Sequence, residues 1–247
     1  MASTRKYEIT TITKQHYGHT LFRIRALRSF NDVKEGSIGG WIEKESNLSH
    51  DGNCWIYDDA KAFNSAKVYG NAKLYNEASI YDSAHVCDNV RVFNKVRIHI
   101  NARVYGNAVL RDNAIISDSA NVYDNTWICG SACVYGNAKV YDNAILDNTC
   151  VVSGNAVIFG EADIKGNATI TGDAKVCSIR DYLVFKNWWS SGRYFTWTRS
   201  NNMWKVGCFL GTGEELIRRA YADNSRSGRE YARIVKYVES IKSEIDK

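Results

Sequence analysis

Proline is absent from the 247 residues, against a usual share of about 5%. Every reversal of the chain must therefore be made by Gly, Asn or Asp, which reach positive φ or bond their own backbone. No run approaches eighteen apolar residues, which excludes a membrane-spanning helix. The opening MASTRKYEIT has no apolar stretch of the kind that marks a secretory leader. The expected location is the cytoplasm, with no membrane partner. Seven cysteines, an odd number, stand at 54, 87, 129, 133, 150, 177 and 208 without a Cys-x-x-Cys pair, so they read as reduced structural thiols rather than zinc ligands or a redox motif. Phosphate loop, metal cluster and catalytic triad are also missing, and no cofactor or metal is expected.

What is present is a repeat. Positions 54, 60, 66 and onward to 174 are small: sixteen Ala, with Cys54, Val90, Val96, Thr126 and Cys150 in the remaining places. Two residues after each stands an aliphatic one, from Ile56 to Val176, with Ala62 the exception. Twenty-one hexads follow one another without an insertion. In Ala66-Lys67-Val68-Tyr69-Gly70-Asn71, strand alternation points Ala66 and Val68 inward and Lys67 and Tyr69 outward, and Gly70-Asn71 turns a corner. Three such edges make an eighteen-residue triangular coil, and each coil buries its aliphatic residues only by stacking on its neighbours.

An aliphatic residue followed four places later by a small one, every six residues, resembles the hexapeptide-repeat, left-handed β-helix superfamily over about half of the chain. Gly or Asp stands two residues after the aliphatic one rather than directly after it, a departure from that pattern. The segments LFRIRALRSF, GSIGGWIEKESNLS and DGNCWIYDDA resemble the leaders of uncharacterised phage and prophage hexapeptide-repeat proteins. The expected fold is mainly β. It comprises an N-terminal β cap over residues 1–53, a parallel β-helix of about seven coils over 54–179, left-handed as the resemblance implies, and a small C-terminal α+β module with two helices over 180–247.

Residues grouped by eighteen define the faces. One carries an aromatic ladder, Tyr69, Tyr105, Tyr123, Tyr141 and Phe159, beside a basic column of Lys67, Arg103 and Lys139. Such a face either stabilises the solenoid by stacking on itself or offers a surface to a nucleotide or single-stranded nucleic acid. Outward Val109, Ile115, Ile145, Val151 and Val157 would be sticky if exposed; they point to a homo-oligomer or to cover by the C-terminal segment.

The ends are basic and the repeats slightly acidic: Lys and Arg against Asp and Glu number 8 to 5 over residues 1–47 and 13 to 8 over 178–247. In the first segment Phe22–Ala26 alternates like a strand, and Gly36–Ile42 reads as turns leading into the first coil. In the last, strands are expected at Tyr182–Lys186, Arg193–Arg199 and Trp204–Phe209, and Thr212-Gly-Glu-Glu215 and Ser227-Gly-Arg-Glu230 each open a helix as a capping box. The second helix carries an apolar stripe of Tyr231, Ile234, Val235, Val238 and Ile241. Arg193, Tyr194, Trp197, Arg199, Trp204, Lys205, Arg218 and Arg219 form the expected recognition surface of this module.

Three functional readings follow. The first is a non-catalytic phage-type rod that presents a surface to a host or phage protein; inhibition of a host defence protein, in the cytoplasm of an infected cell, is implied by the resemblance alone. The second is an acyltransferase, which needs a histidine base: His85 and His99 are outward on the solenoid, His16, His19 and His50 sit in the cap, and no loop leaves the repeats to embrace an acyl carrier. The third is nucleotide binding on the aromatic and basic face. Cys208 lacks a basic partner in sequence that would make it a nucleophile.

Overall fold

The computed structural model describes residues 5–245. Its centre is a parallel β-solenoid of twenty-one two-residue strands, β4 (Trp55–Ile56) to β24 (Lys175–Val176), each starting six residues after the last. Every strand pairs in parallel with the one eighteen residues on, as in Trp55 with Lys73, Lys61 with Ser79 and Lys67 with His85. The result is three sheets, each with seven solenoid strands. The small and aliphatic columns are fully buried throughout. Positive φ recurs at every sixth residue from Asp58 to Gly172, so the corners use the residues that tolerate it. Their side chains also tie successive coils: Asp58 Oδ2 accepts from the Asn76 N–H at 2.9 Å and Asp118 Oδ2 from the Gly136 N–H at 2.9 Å. Along another column the amides of Asn71, Asn89, Asn107 and Asn125 donate one to the next at 3.0 Å. Strand N–H groups donate to the following coil, as Lys61 does to Ala78 O. A proline there would break the ladder, which accounts for its absence from the strands of the repeats.

Ile100 breaks the corner rule. It holds φ +62° with a β-branched side chain, in a region that costs an ordinary residue about 1–2 kcal/mol. Ile100→Asn is expected to raise stability by about 1 kcal/mol, seen as a higher urea midpoint at unchanged slope. The new amide would face Asp118, continuing the corner ladder. A lower midpoint would show that the Ile100 side chain contributes more by packing than its backbone costs.

The N-terminal segment forms β1 (Tyr7–His16), β2 (His19–Ala26) and β3 (Ile38–Ile42), an antiparallel meander whose last strand pairs in parallel with β5 (Lys61–Ala62). Gly36–Ile42 is thus mostly strand, which corrects the reading as turns. Gly40 packs so tightly over the first coil that a Cβ would lie 2.5 Å from Ala60 O. Lys6, fully buried, plugs the open end by donating from Nζ to Cys54 O at 2.9 Å and Gly52 O at 3.3 Å.

Several carboxylates of this end are held below their ordinary values. Trp41 Nε1 donates to Asp59 at 2.9 Å and His50 bonds Glu45 at 2.7 Å, and these bonds are the largest influence on each, lowering Asp59 from 3.8 and Glu45 from 4.5. Because the folded values lie below the unfolded ones, the stabilisation is present above pH 4.5 and is lost as pH falls through the folded values. Hydrogen exchange on acidification is expected to rise first in peptides of residues 5–53. Equal protection of those peptides and the central coils at pH 3 would contradict this.

At the other end β25 (Tyr182–Lys186), β26 (Tyr194–Thr198), β27 (Met203–Val206) and β28 (Phe209–Gly211) make a four-stranded antiparallel sheet. The expected third strand, Trp204–Phe209, is two strands, reversed at Gly207 with φ +57°. Thr212 caps α1 (Gly213–Asp223) with the reciprocal Glu215 bonds of a capping box. The second helix, α2 (Ser225–Ile245), starts before the expected Ser227 box, with Asn224 Oδ1 accepting from the Ser227 N–H at 2.8 Å. The module covers the last coils: Thr169 N–H donates to Thr196 Oγ1 at 2.9 Å and Lys175 N–H to Ser200 Oγ at 2.7 Å.

Candidate active-site groove

The turn between β1 and β2 is made by Tyr17 and Gly18, at φ +46° and +82°, the two-residue hairpin geometry with both central residues at positive φ. It sets His16 opposite His19 and hangs both over the solenoid face that carries Phe63, Tyr81 and His99. Those three rings stack at 5.1 and 4.7 Å, and His16 and His19 lie 5.4 and 5.3 Å from Phe63. Between hairpin and face runs a groove of about 730 Å³ whose walls include His16, His19, Lys61, Glu77, Lys95 and Arg97.

Glu43, just after β3, completes the arrangement. Its Oε1 lies 2.9 Å from His19 Nδ1, and its Oε2 accepts from the Asn64 N–H at 2.5 Å. Burial pushes the Glu43 carboxyl up, but the bonds from His19 and Asn64 outweigh it and hold it below 4.5. An ionised carboxylate only accepts hydrogen bonds, so Nδ1 of His19 is the donor in this pair, and in the neutral imidazole Nε2 is the nitrogen free to accept a proton. His16 is lowered from 6.5 by burial first and then by Lys61 and Lys14. Lys61 is nearly buried, with Nζ 3.3 Å from Ser79 Oγ; burial is the largest cause that lowers it, followed by Lys14. Together, a carboxylate-oriented imidazole and three cationic side chains, Lys61, Lys95 and Arg97, share a partly enclosed space. Such a set can remove a proton from one group while holding an anionic one. Among the described residues no cluster of three or more His, Cys, Asp or Glu side chains could hold a metal ion.

No family model matches the chain. Over 38 residues it is 55% identical to a protein of Escherichia coli (strain K12) named as an uncharacterised acetyltransferase, YdcK; the match covers 15% of this chain and 12% of that protein's length. The fold and this match together support the hexapeptide-repeat superfamily.

The outward histidines of the solenoid, weighed for the acyltransferase reading, are placed differently from the groove pair. His85 stands edge-on to Tyr69 at 6.2 Å and has no carboxylate partner among the described residues. His99 stacks on Tyr81, with Asp82 Oδ2 at 3.9 Å from its Nδ1, an acidic neighbour the sequence reading did not place. In the aromatic ladder, Tyr105, Tyr123, Tyr141 and Phe159 stack at 4.8, 5.0 and 5.6 Å, nearly parallel. Within the stack the facing surfaces cover one another, so a base could stack only at its two ends. Tyr69 is out of the stack because Cys87 occupies the rung between it and Tyr105. Lys67, Arg103 and Lys139 are exposed beside the ladder.

The C-terminal set divides. Trp197 and Trp204 are 0% and 1% exposed and belong to the module's core, a correction to their expected place on its recognition surface. Their strands are covered on both sides, by the helices and by the last coils, so strand alternation does not turn them outward. Tyr194 is exposed under Lys186, Arg199 pairs with Asp181 at 3.3 Å, Arg218 is exposed and Lys205 half-buried. Arg193 and Arg219 line a groove of their own. Of the outward apolar residues, Val109 is buried, Ile115, Val151 and Val157 are half-buried and Ile145 is 38% exposed. Among the described residues no helix is long and apolar enough to cross a membrane.

Proposed function

We propose that the groove under the β1–β2 hairpin carries out acyl transfer, with His19 as general base. The observation that carries this reading is His19 Nδ1 held 2.9 Å from Glu43 at the wall of a groove lined by Lys61, Lys95 and Arg97. The partial match to a protein named as an acetyltransferase supports it. In this reading Nε2 of His19 takes the proton of an acceptor hydroxyl or amine as that group attacks the carbonyl carbon of an acyl thioester. The carbon–sulfur bond breaks, and the imidazolium returns the proton to the leaving thiolate. Lys61, Lys95 and Arg97 hold anionic groups of the donor. The test is transfer from acetyl-coenzyme A to a panel of amines and sugars, read by thiol release, alongside direct titration of the donor. Binding of the donor with turnover supports the reading; no binding at low salt rejects it.

A second reading, a phage-type rod that binds a protein partner without catalysis, draws on Trp188 and Ile179, each 68% exposed on the C-terminal module. It expects a partner retained by the full chain and released by Trp188→Ala, with acyl donors unbound.

A further inference from the structure

The C-terminal module holds a second groove, of about 550 Å³, between its sheet and its helices. Arg193 and Arg219 stand at its rim, and neither forms an ion pair among the described residues, although Asp223 lines the same space. Both guanidinium groups are placed by their surroundings. Arg193 Nε donates to Ser191 Oγ at 2.8 Å, and its Nη1 occupies the space beside Gly207 where a Cβ would lie 2.5 Å away. Arg219 lies over the Phe209 ring at 5.2 Å, an arrangement that fixes the plane of the group while leaving its N–H edge free.

The floor is polar and almost closed to solvent. Asn187 and Tyr231 are 3% and 6% exposed. Asn187 Oδ1 accepts from the Ser190 N–H and hydroxyl, and its Nδ2 donates to the Tyr231 hydroxyl oxygen at 3.2 Å. That leaves the Tyr231 O–H proton without an acceptor among the described residues. A buried donor without a partner is costly, and here it shares a groove with two unneutralised guanidinium groups. Asp223 brings one negative charge to this space; the two guanidinium groups outnumber it and the Tyr231 O–H is a further donor, so the missing partner is an acceptor with negative charge. Apolar walls from Phe209, Val206 and Leu216 call for an apolar body attached to it.

We infer that this groove binds a small molecule in which an oxyanion, carboxylate or phosphate, is attached to an apolar body, with Arg193, Arg219 and Tyr231 as its donors. The site is at the opposite end of the chain from the hairpin groove and stands independently of acyl transfer there. It is tested by calorimetric titration of the full chain with benzoate, phenyl phosphate and inorganic phosphate. One of the two aromatic probes is expected to saturate and to bind more tightly than inorganic phosphate. Arg193→Gln and Arg219→Gln are each expected to weaken it about tenfold or more with unchanged melting temperature, and Tyr231→Phe by a smaller factor, with some loss of stability because Asn187 Nδ2 loses its acceptor. Arg219→Lys, which keeps the charge but not the fork, is expected to recover only part of the loss. Tighter benzoate identifies a carboxylate ligand and tighter phenyl phosphate a phosphate ester. No saturation by any probe, or affinity indifferent to both arginine changes, overturns the inference.

Discussion

His19→Ala is expected to lower the acyl-transfer rate by about 10²–10⁴-fold, the range for removal of a positioned general base, with donor affinity little changed. The reason lies in the division of labour across the groove. Donor binding is assigned to Lys61, Lys95 and Arg97, which the substitution leaves in place, whereas of the two histidines lining the groove it is His19 that is bonded to a carboxylate. Glu43→Gln should fall between the wild type and His19→Ala. An amide at 43 still fills the site and can still bond the Asn64 N–H, but it no longer fixes the proton on Nδ1 or stabilises the imidazolium formed during transfer. The double variant should be no slower than His19→Ala alone, since residues acting as a unit are not additive. Lys95→Ala and Arg97→Ala should instead raise KM at nearly constant kcat. Turnover that survives His19→Ala intact would remove His19 as the base. Because His16 is the neighbouring imidazole, held below 6.5 mainly by its burial, His16→Ala is the control that separates the two.

Much of the architecture was readable because a six-residue period has few solutions. A small residue at 60, 66 and onward to 174 and an aliphatic one two places later can both be buried only on the inside of a stack, and both columns are buried. The capping box at Thr212 was equally readable, since Thr and Glu three residues apart bond each other without help from the rest of the fold. The groove was not. The two residues at the centre of the proposal, His19 and Glu43, are brought together by a hairpin and by the parallel pairing of β3 onto β5, and no local pattern announces a parallel partner. The one available signal was His16-Tyr-Gly-His19: a tight turn at Tyr17-Gly18 sets the two histidines opposite each other. Gly39 and Gly40 argued for turns by composition, yet they are in a strand because only glycine lets it approach Trp55 and Ala60 so closely. Trp197 and Trp204 were assigned to a surface because arginines flank them; the sheet they occupy is covered on both sides, and aromatic residues beside charged ones do not reveal that.

Leu110→Ala is expected to cost about 2–5 kcal/mol, the range for a buried leucine truncated in a rigid setting, and to do so more severely than the same kind of change near an end. Leu110 is fully buried in the fourth rung of its column, in register with Val92 on one side and Ile128 on the other. Removing its side chain therefore opens a cavity against both neighbouring coils. Their backbones are held to the ladder by bonds such as Phe93 N–H to Leu110 O at 2.9 Å and Arg111 N–H to Ile128 O at 2.9 Å, so collapse into the space is resisted. In a stack where each coil touches only its neighbours, stability is close to a sum of interface terms, and a central residue enters two of them. Leu74, second in the column, also lies between two rungs, Ile56 and Val92, so the comparison isolates rigidity: Leu74→Ala should cost less where the cap meander can follow the first coils inward. Urea unfolding followed by circular dichroism gives both values. Equal losses at the two positions would mean that the cap is as rigid as the central coils, and a loss below about 1 kcal/mol at Leu110 would mean that the interior repacks around small residues far more readily than its hydrogen-bonded rungs imply.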